Sequence, residues 1–314
     1  MTEPRAVAAW SLLVEATTAE IANRFSEAGI KSIILKGPLL TRRLFPEGDD
    51  HTSMDVDVLV APDDWTRAEA ELIRVGFEPL LLDIIPGDRP NHARPHVRST
   101  GGPSVDLHRT LLGAQAPTSV VWSTLEAQTQ QMRLGEASVA VLNEPGQLMH
   151  IALHAAQNGP ADARVLRHLE RCIELTADGC RVKARSIASA IDATDAFALG
   201  LSFIPTGRQL NDRLGVTPHP SVAAALSAAS APNTAHAVEW FATRPSYRDR
   251  ARFVLHKVFP PKAYMLSSYP RARTQRGLLA AYPARWLWLA CQVPPSFRAW
   301  REARRASQRS RLSP

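Results

Sequence analysis

Met54-Asp55-Val56-Asp57-Val58-Leu59-Val60 alternates acidic or aliphatic residues with valine over seven positions. Such an alternation has the period of an extended strand, in which successive side chains point to opposite faces. Asp55, Asp57 and Leu59 therefore share one face, and the valines take the other. Two carboxylates side by side on one strand face repel unless something neutralises them. Oxygen-only donors suit Mg²⁺ or Mn²⁺, which keep several waters and also bind phosphates.

Upstream, residues 6–28 show an approximate helical period closed by Gly29. Ser32-Ile33-Ile34-Leu35 then reads as a short buried strand stopped by Lys36-Gly37-Pro38, and Pro38 can open a helix over 38–45. A helix N-terminus directly after a strand is a place where phosphate oxygens can settle, and Lys36 is placed to neutralise one. Downstream, Pro62-Asp63-Asp64 starts a helix to about Val75, Phe77 to Ile85 resumes an apolar or extended run, and Ser104-Val105-Asp106-Leu107-His108 reads as a further strand. Asp106 on that strand is the candidate third carboxylate. His108, two residues on, shares its face and can orient a carboxylate or a phosphate.

Helix and strand alternate over the first 140 residues, which argues for an α/β or α+β domain. Beyond Pro145 the segments 147–157, 164–176, 182–203 and 220–241 are alanine- and leucine-rich with helical spacing. From Tyr247 onward, short aromatic-rich helices are expected between proline breaks, with a frayed end. The expected organisation is thus an α+β domain at 1–143 built on a small mixed sheet with flanking helices, a helical domain at 144–245, and a Pro- and Arg-rich helical segment at 246–314.

The 314 residues carry 45% hydrophobic and 21% charged side chains, an ordinary globular balance that excludes fibrous and low-complexity classes. The net charge of +7 is unevenly placed. Residues 271–314 hold ten arginines against one acid, Glu302, so residues 1–270 sum to −2. Any polyanion contact therefore belongs to the tail. The apolar stretch 277–294 is interrupted by Pro283 and Arg285 and is too short for a membrane span. Its expected place is against the helical domain, with a membrane surface as the alternative. The N-terminus shows no secretory signal. Cys172, Cys180 and Cys291 fit no zinc or redox spacing, suit a reducing cytoplasm, and are expected as buried hydrophobes.

Ile34-Leu35-Lys36-Gly37-Pro38, the Asp55-x-Asp57 strand and Val105-Asp106-Leu107-His108, in this order, resemble the uncharacterised nucleotidyltransferase family of the DNA polymerase β-like superfamily. The resemblance extends to Asp63-Asp64-Trp65, the 142–154 helix entry and Val258-Phe259-Pro260-Pro261. It implies a two-metal site in which Asp55, Asp57 and Asp106 hold Mg²⁺ or Mn²⁺, roughly 3.5–4 Å apart, around a phosphoryl displacement. Lys36 and the Gly37 turn would hold an NTP triphosphate. The implied reaction transfers a nucleoside monophosphate to a small-molecule, peptide or RNA acceptor hydroxyl. Two departures stand out. The superfamily turn usually reads Gly-Ser or Gly-Gly where this chain has Gly37-Pro38, and members often carry arginine where this chain has His51. Arg42 and Arg43 are the candidates to replace the phosphate contacts so lost. The alternative is a non-catalytic binding or accessory protein retaining the fold.

Other histidines are weighed as structural. His150 and His154 stand at i and i+4, but Ile151 follows His150 where a zinc protease needs glutamate, so packing near the domain surface is expected. Arg164, Arg167, His168 and Arg171 are read as a solvated helix face.

Deleting residues 299–314 removes five arginines and Glu302 and lowers the charge to +3. The expected outcome is unchanged NTP turnover with a small acceptor. RNA or anionic-liposome retention that is tail-dependent and salt-sensitive would instead assign the tail to a polyanionic partner.

Overall fold

The computed structural model describes residues 4–46, 53, 55–80, 92–218, 221–229, 231–244, 246–262, 264–265, 269 and 275–312. His51, Met54, residues 81–85 of the expected apolar run, and Arg271 and Arg273 lie outside them. The architecture is α+β. Helix α1 (Pro4–Glu27) leads into β1 (Ser32–Ile34), α2 (Pro38–Leu44) and β2 (Asp55–Val60). A single 3-10 turn (Pro62–Asp64) precedes α3 (Trp65–Arg74), followed by β3 (Phe77–Pro79), β4 (Ala93–Arg98) and β5 (Ser104–His108). Helix α4 (Thr118–Glu126) and the hairpin β6 (Thr129–Leu134) with β7 (Ala137–Leu142) complete the strand-bearing part.

The seven strands form one mixed sheet in the order β3-β4-β5-β2-β1-β7-β6. β2 runs parallel to β5 and β1 parallel to β7, and the other neighbours are antiparallel. The strand period sorts the side chains as expected. Val56, Val58, Val60, Ile34, Val105 and Leu107 pack in one core with Val14, Ile21 and Phe25 of α1 and Leu72 of α3. Ile33, Leu35 and Leu59 belong to a second core on the other face, shared with the helices that follow. Asp55, Asp57, Asp106 and His108 alternate with the valines and leucines of the first core, and so belong to the face that the later helices cover.

Those helices are α5 (Glu144–Asn158), α6 (Ala163–Leu175), α7 (Asp178–Ala190), α8 (Thr194–Ser202) and α9 (Pro205–Leu214). The single helix expected over 182–203 is two, separated at Asp192, whose φ is 52°. Helix α5 starts at Asn143, whose side chain accepts from the Gly146 N–H at 3.1 Å and so caps the first turn. Compactness groups residues 1–79 and 92–218 as one unit and 219–314, with 80–91, as another. The change from strands to helices at 143–144 therefore lies inside the first unit.

The second unit contains α10 (Val222–Ala228), α11 (Asn233–Ala242), α12 (Tyr247–Val258) and α13 (Gln275–Leu312). Pro283, Pro294 and Pro295 were expected to break the tail into short helices, yet all three lie within the continuous α13. Ala303 of α13 packs with Leu226 and Ala235, and the Trp300 indole N–H donates to Glu239 at 2.6 Å. Arg285 does not belong to the exposed basic tail. It is buried, donating to the Lys257 carbonyl at 2.9 Å and stacking on Tyr264. Of the three cysteines expected inside, Cys172 is buried, Cys180 half-buried and Cys291 exposed. Among the described residues no helix is long and apolar enough to cross a membrane.

Helix α8 meets α5 at Gly200, where an added Cβ would lie 1.9 Å from the Ala152 carbonyl oxygen. Both sides of that contact are backbone, so Gly200→Ala must push the helices apart. Overpacking of this kind costs ~1–3 kcal/mol, a fall in Tm of about 2–4 °C per kcal/mol for a unit of this size. Gly179→Ala, with open space around its Cβ position in α7, serves as the control and should hold or raise Tm.

Candidate metal and nucleotide site

The register of β2 against β5 builds the site. Asp57 pairs with Asp106 across the parallel ladder, Asp55 with Ser104 and Leu59 with His108. A His108 ring N–H donates to Asp57 Oδ1 at 2.8 Å, both groups being buried. One ligand atom each from Asp57, Asp106 and His108 lie within 4.8 Å of one another. Asp55, two residues earlier on the same face, stands outside this cluster. Ser53 Oγ donates to its backbone carbonyl at 3.0 Å and to Oδ1 at 3.4 Å.

Lys36 arrives from the neighbouring strand. The Leu35 N–H donates to the Asp57 carbonyl at 2.9 Å, extending the β1–β2 ladder by a residue. The next residue, Lys36, then brings its Nζ 3.2 Å from Asp57 Oδ2. The chain leaves the strand at Gly37 with φ 112°, a value L side chains rarely adopt, although a Cβ there would meet nothing within 4 Å. Glycine is therefore required here by backbone conformation.

Lys36 and Asp55 also border a cavity of about 140 Å³ between this turn and the helices, lined further by Thr41, His150, His154, Arg164 and His168. His150 and His154, expected as packing residues, thus look onto the site, and the basic face of α6 contributes Arg164 and His168. Arg42 and Arg43 do not line the cavity. Arg42 pairs with Glu15 at 2.5 Å, and Arg43 hydrogen-bonds Gln147 and lies 3.7 Å from Glu144, tying α2 to the start of α5. Trp65 of the Asp-Asp-Trp stretch is a platform for Arg109, whose guanidinium lies 4.1 Å from its ring centre.

The charges are unevenly compensated. Burial opposes ionisation of Asp57, but the His108 hydrogen bond and the Lys36 charge outweigh it and hold its carboxyl well below the usual range. Asp106 is pushed up to about 6 by burial and by the charges of Asp57 and Asp55. Asp55 is raised by burial and by Asp57, against the pull of Lys36. Burial and Lys36 push the His150 imidazole down to about 3. His92, whose ring centre lies 5.5 Å from that of His108, falls to about 4, first from burial.

The donor set fits a divalent cation on an observation of its own. Asp57 Oδ2 is buried and accepts no hydrogen bond. Carboxylates that resist sharing negative charge become compatible when a cation joins them.

The model of the uncharacterised nucleotidyltransferase family matches residues 3–201. The chain belongs to that family. Its matched stretch spans the whole sheet and the helices through most of α8, so it covers every residue of the site. Two solved structures are similar in fold. One is an antigenic nucleotidyltransferase-like protein from Paracoccidioides brasiliensis, 16% identical, with a TM-score of 0.35, covering 57% of this chain and 92% of that one. The other is the antibiotic-resistance factor ANT(2″)-Ia, 13% identical, with a TM-score of 0.40, covering 58% and 94%. No functionally curated protein shows significant similarity to the chain.

A cation and a proton compete for Asp106. Metal affinity should therefore rise with pH through about 6 and level off above it, with proton release on binding below that point. In metal-free protein the same group works in the other sense. Its proton is held more tightly folded than unfolded, so its contribution to stability is present near pH 4 and lost as pH rises through 6. Mn²⁺ titrations at pH 5 to 8 check the first statement, and chelated protein unfolded over the same range checks the second. Asp106→Asn should flatten both profiles.

Proposed function

We propose that this protein is a metal-dependent nucleotidyltransferase that moves a nucleoside monophosphate from an NTP to an acceptor hydroxyl. The observation that carries this reading is the register pairing of Asp57 with Asp106, with His108 beside them and Lys36 reaching from the cluster to the cavity. A bound Mg²⁺ or Mn²⁺ would stabilise charge on phosphoryl oxygens. Asp57 and Asp106 would hold it, with His108 fixing Asp57, and Asp55 on the cavity wall is placed for a second ion. Lys36 supplies the positive charge for the triphosphate, and Arg164 adds a guanidinium at the rim.

In the transfer, the acceptor oxygen forms a bond to the α-phosphorus and the bond to the bridging β-phosphate oxygen breaks, releasing pyrophosphate. The hydroxyl proton passes to a carboxylate, for which Asp106, the acid paired with Asp57 across the ladder, is the candidate. Burial holds His150 and His154 of α5 in their neutral form, so Lys36 and Arg164 bring positive charge to the cavity wall and Asp55 brings its carboxylate. The acceptor class remains a small molecule, a peptide or an RNA end. The exposed arginines of α13, from Arg298 to Arg309, are where a polyanion would add contact. Free cysteines suit the reducing cytoplasm we assign to the protein.

Calorimetry with each NTP, with and without Mg²⁺, tests the reading. An enzyme of this type should prefer one triphosphate and bind it in a metal-dependent way, whereas an accessory protein would bind none. Asp57→Asn should cut transfer by roughly 10²-fold or more. At Mg²⁺ concentrations high enough to restore nucleotide binding, Asp106→Asn should still lose turnover. Wild-type turnover in either variant would contradict the assignment.

A further inference from the structure

We infer that Lys36 is the protein's own stand-in for the metal and is transferred to the nucleotide when the cation arrives, so that it weakens metal binding and strengthens nucleotide binding. This rests on the reading under Proposed function. Asp57 is 2% exposed, and a buried carboxylate of this kind needs compensation. His108 satisfies Oδ1 by a hydrogen bond. At Oδ2 the compensation is electrostatic only: Lys36 Nζ is 3.2 Å away, and the oxygen accepts no hydrogen bond. Oδ2 is thus a buried carboxylate oxygen without a hydrogen bond, and it is the atom Lys36 guards.

A divalent cation among Asp57, Asp106 and His108 would place two positive charges beside the ammonium. One of them must yield, and the two neighbours of Asp57 differ in their freedom to do so. The His108 side chain is 8% exposed and rigid, whereas that of Lys36 is 25% exposed on a flexible four-carbon stem. The backbone on either side of Lys36 is pinned, by Leu35 N–H to Asp57 and by Thr41 N–H to the Gly37 carbonyl at 3.1 Å. Only the side chain can move. The space it already borders is the cavity shared with Asp55, Thr41 and Arg164.

Formal charge gives the same direction. Asp55, Asp57 and Asp106 present −3 to the Lys36 ammonium, and one divalent cation cuts that to −1, which weakens their hold on it and lets a further anion compete for it. Phosphate oxygens entering the cavity supply that anion. Nucleotide then draws Lys36 off Asp57 and raises metal affinity, and metal raises nucleotide affinity by the same factor.

The test is Mn²⁺ binding without nucleotide, followed by binding of a non-hydrolysable NTP analogue at saturating Mn²⁺, for wild type, Lys36→Met, Lys36→Gln and Lys36→Arg. Couplings of this kind commonly run from about 5-fold to 150-fold, so about tenfold effects are expected. Both neutral variants should bind Mn²⁺ about tenfold more tightly and the analogue about tenfold more weakly, while Lys36→Arg stays near wild type in both. A purely structural role would weaken both ligands together. Unchanged or weaker Mn²⁺ binding in folded Lys36→Met and Lys36→Gln, with wild type binding Mn²⁺ normally, overturns the inference and leaves the metal site standing. Wild type that binds no Mn²⁺ overturns both. Thermal unfolding shows which variants fold. The glutamine variant, which keeps a polar end beside Asp57, carries the comparison should the methionine variant fail.

Discussion

The parallel pairing of β2 with β5 is the constraint on which the rest depends. A register that sets Asp57 opposite Asp106 brings two carboxylates from strands about fifty residues apart to adjacent positions of one ladder. A one-residue slip would turn them to the α1 face and bury them among Val56, Val58, Val105 and Leu107. The apolar face and the acidic face therefore specify each other. Packing of valines and leucines on α1 and α3 holds the register, and the register in turn imposes an electrostatic cost that Lys36, His108 and a cation relieve.

The helices from α5 to α9 close the other face, where Asp57 is buried and Asp55 borders a cavity. Their apolar residues share a core with Ile33, Leu35 and Leu59, the strand positions that do not carry chemistry. Where the strand residues turn acidic, the opposing helices carry His150, His154, Arg164 and His168 and leave a cavity. The close approach of α8 to α5 at Gly200 fixes how deep that wall sits. Strand face, turn and helical wall thus form one unit, and the family match covers all three.

Much of this was legible from residue order, because the signals are local. Alternation over 54–60 placed Asp55 and Asp57 on one face, and the two-residue spacing of Asp106 and His108 did the same on β5. Residues that depend on tertiary geometry were not legible. Arg42 and Arg43 look like phosphate ligands in sequence, but α2 turns them toward Glu15, Gln147 and Glu144. His150 and His154 showed helical spacing without revealing which surface they face. The β6–β7 hairpin was missed although Met132 and Leu134, then Val139 and Val141, alternate around Gly135, whose φ is 60°. The sequence also marked Pro283, Pro294 and Pro295 as breaks, where packing against α10 and α11 carries α13 through. Asp55 separates from the metal cluster for a reason no spacing could show. The ladder gives it Ser104 as partner, while Asp57 has Asp106.

The central claim is that this register creates a cation site at Asp57 and Asp106. Crystals grown with Mn²⁺ above pH 7, with anomalous diffraction collected to locate the metal, test it most directly. The account predicts an anomalous peak within bonding distance of carboxylate oxygens from both Asp57 and Asp106. A fully loaded crystal with no peak there, or with its metal held elsewhere while Lys36 still faces Asp57, would contradict it.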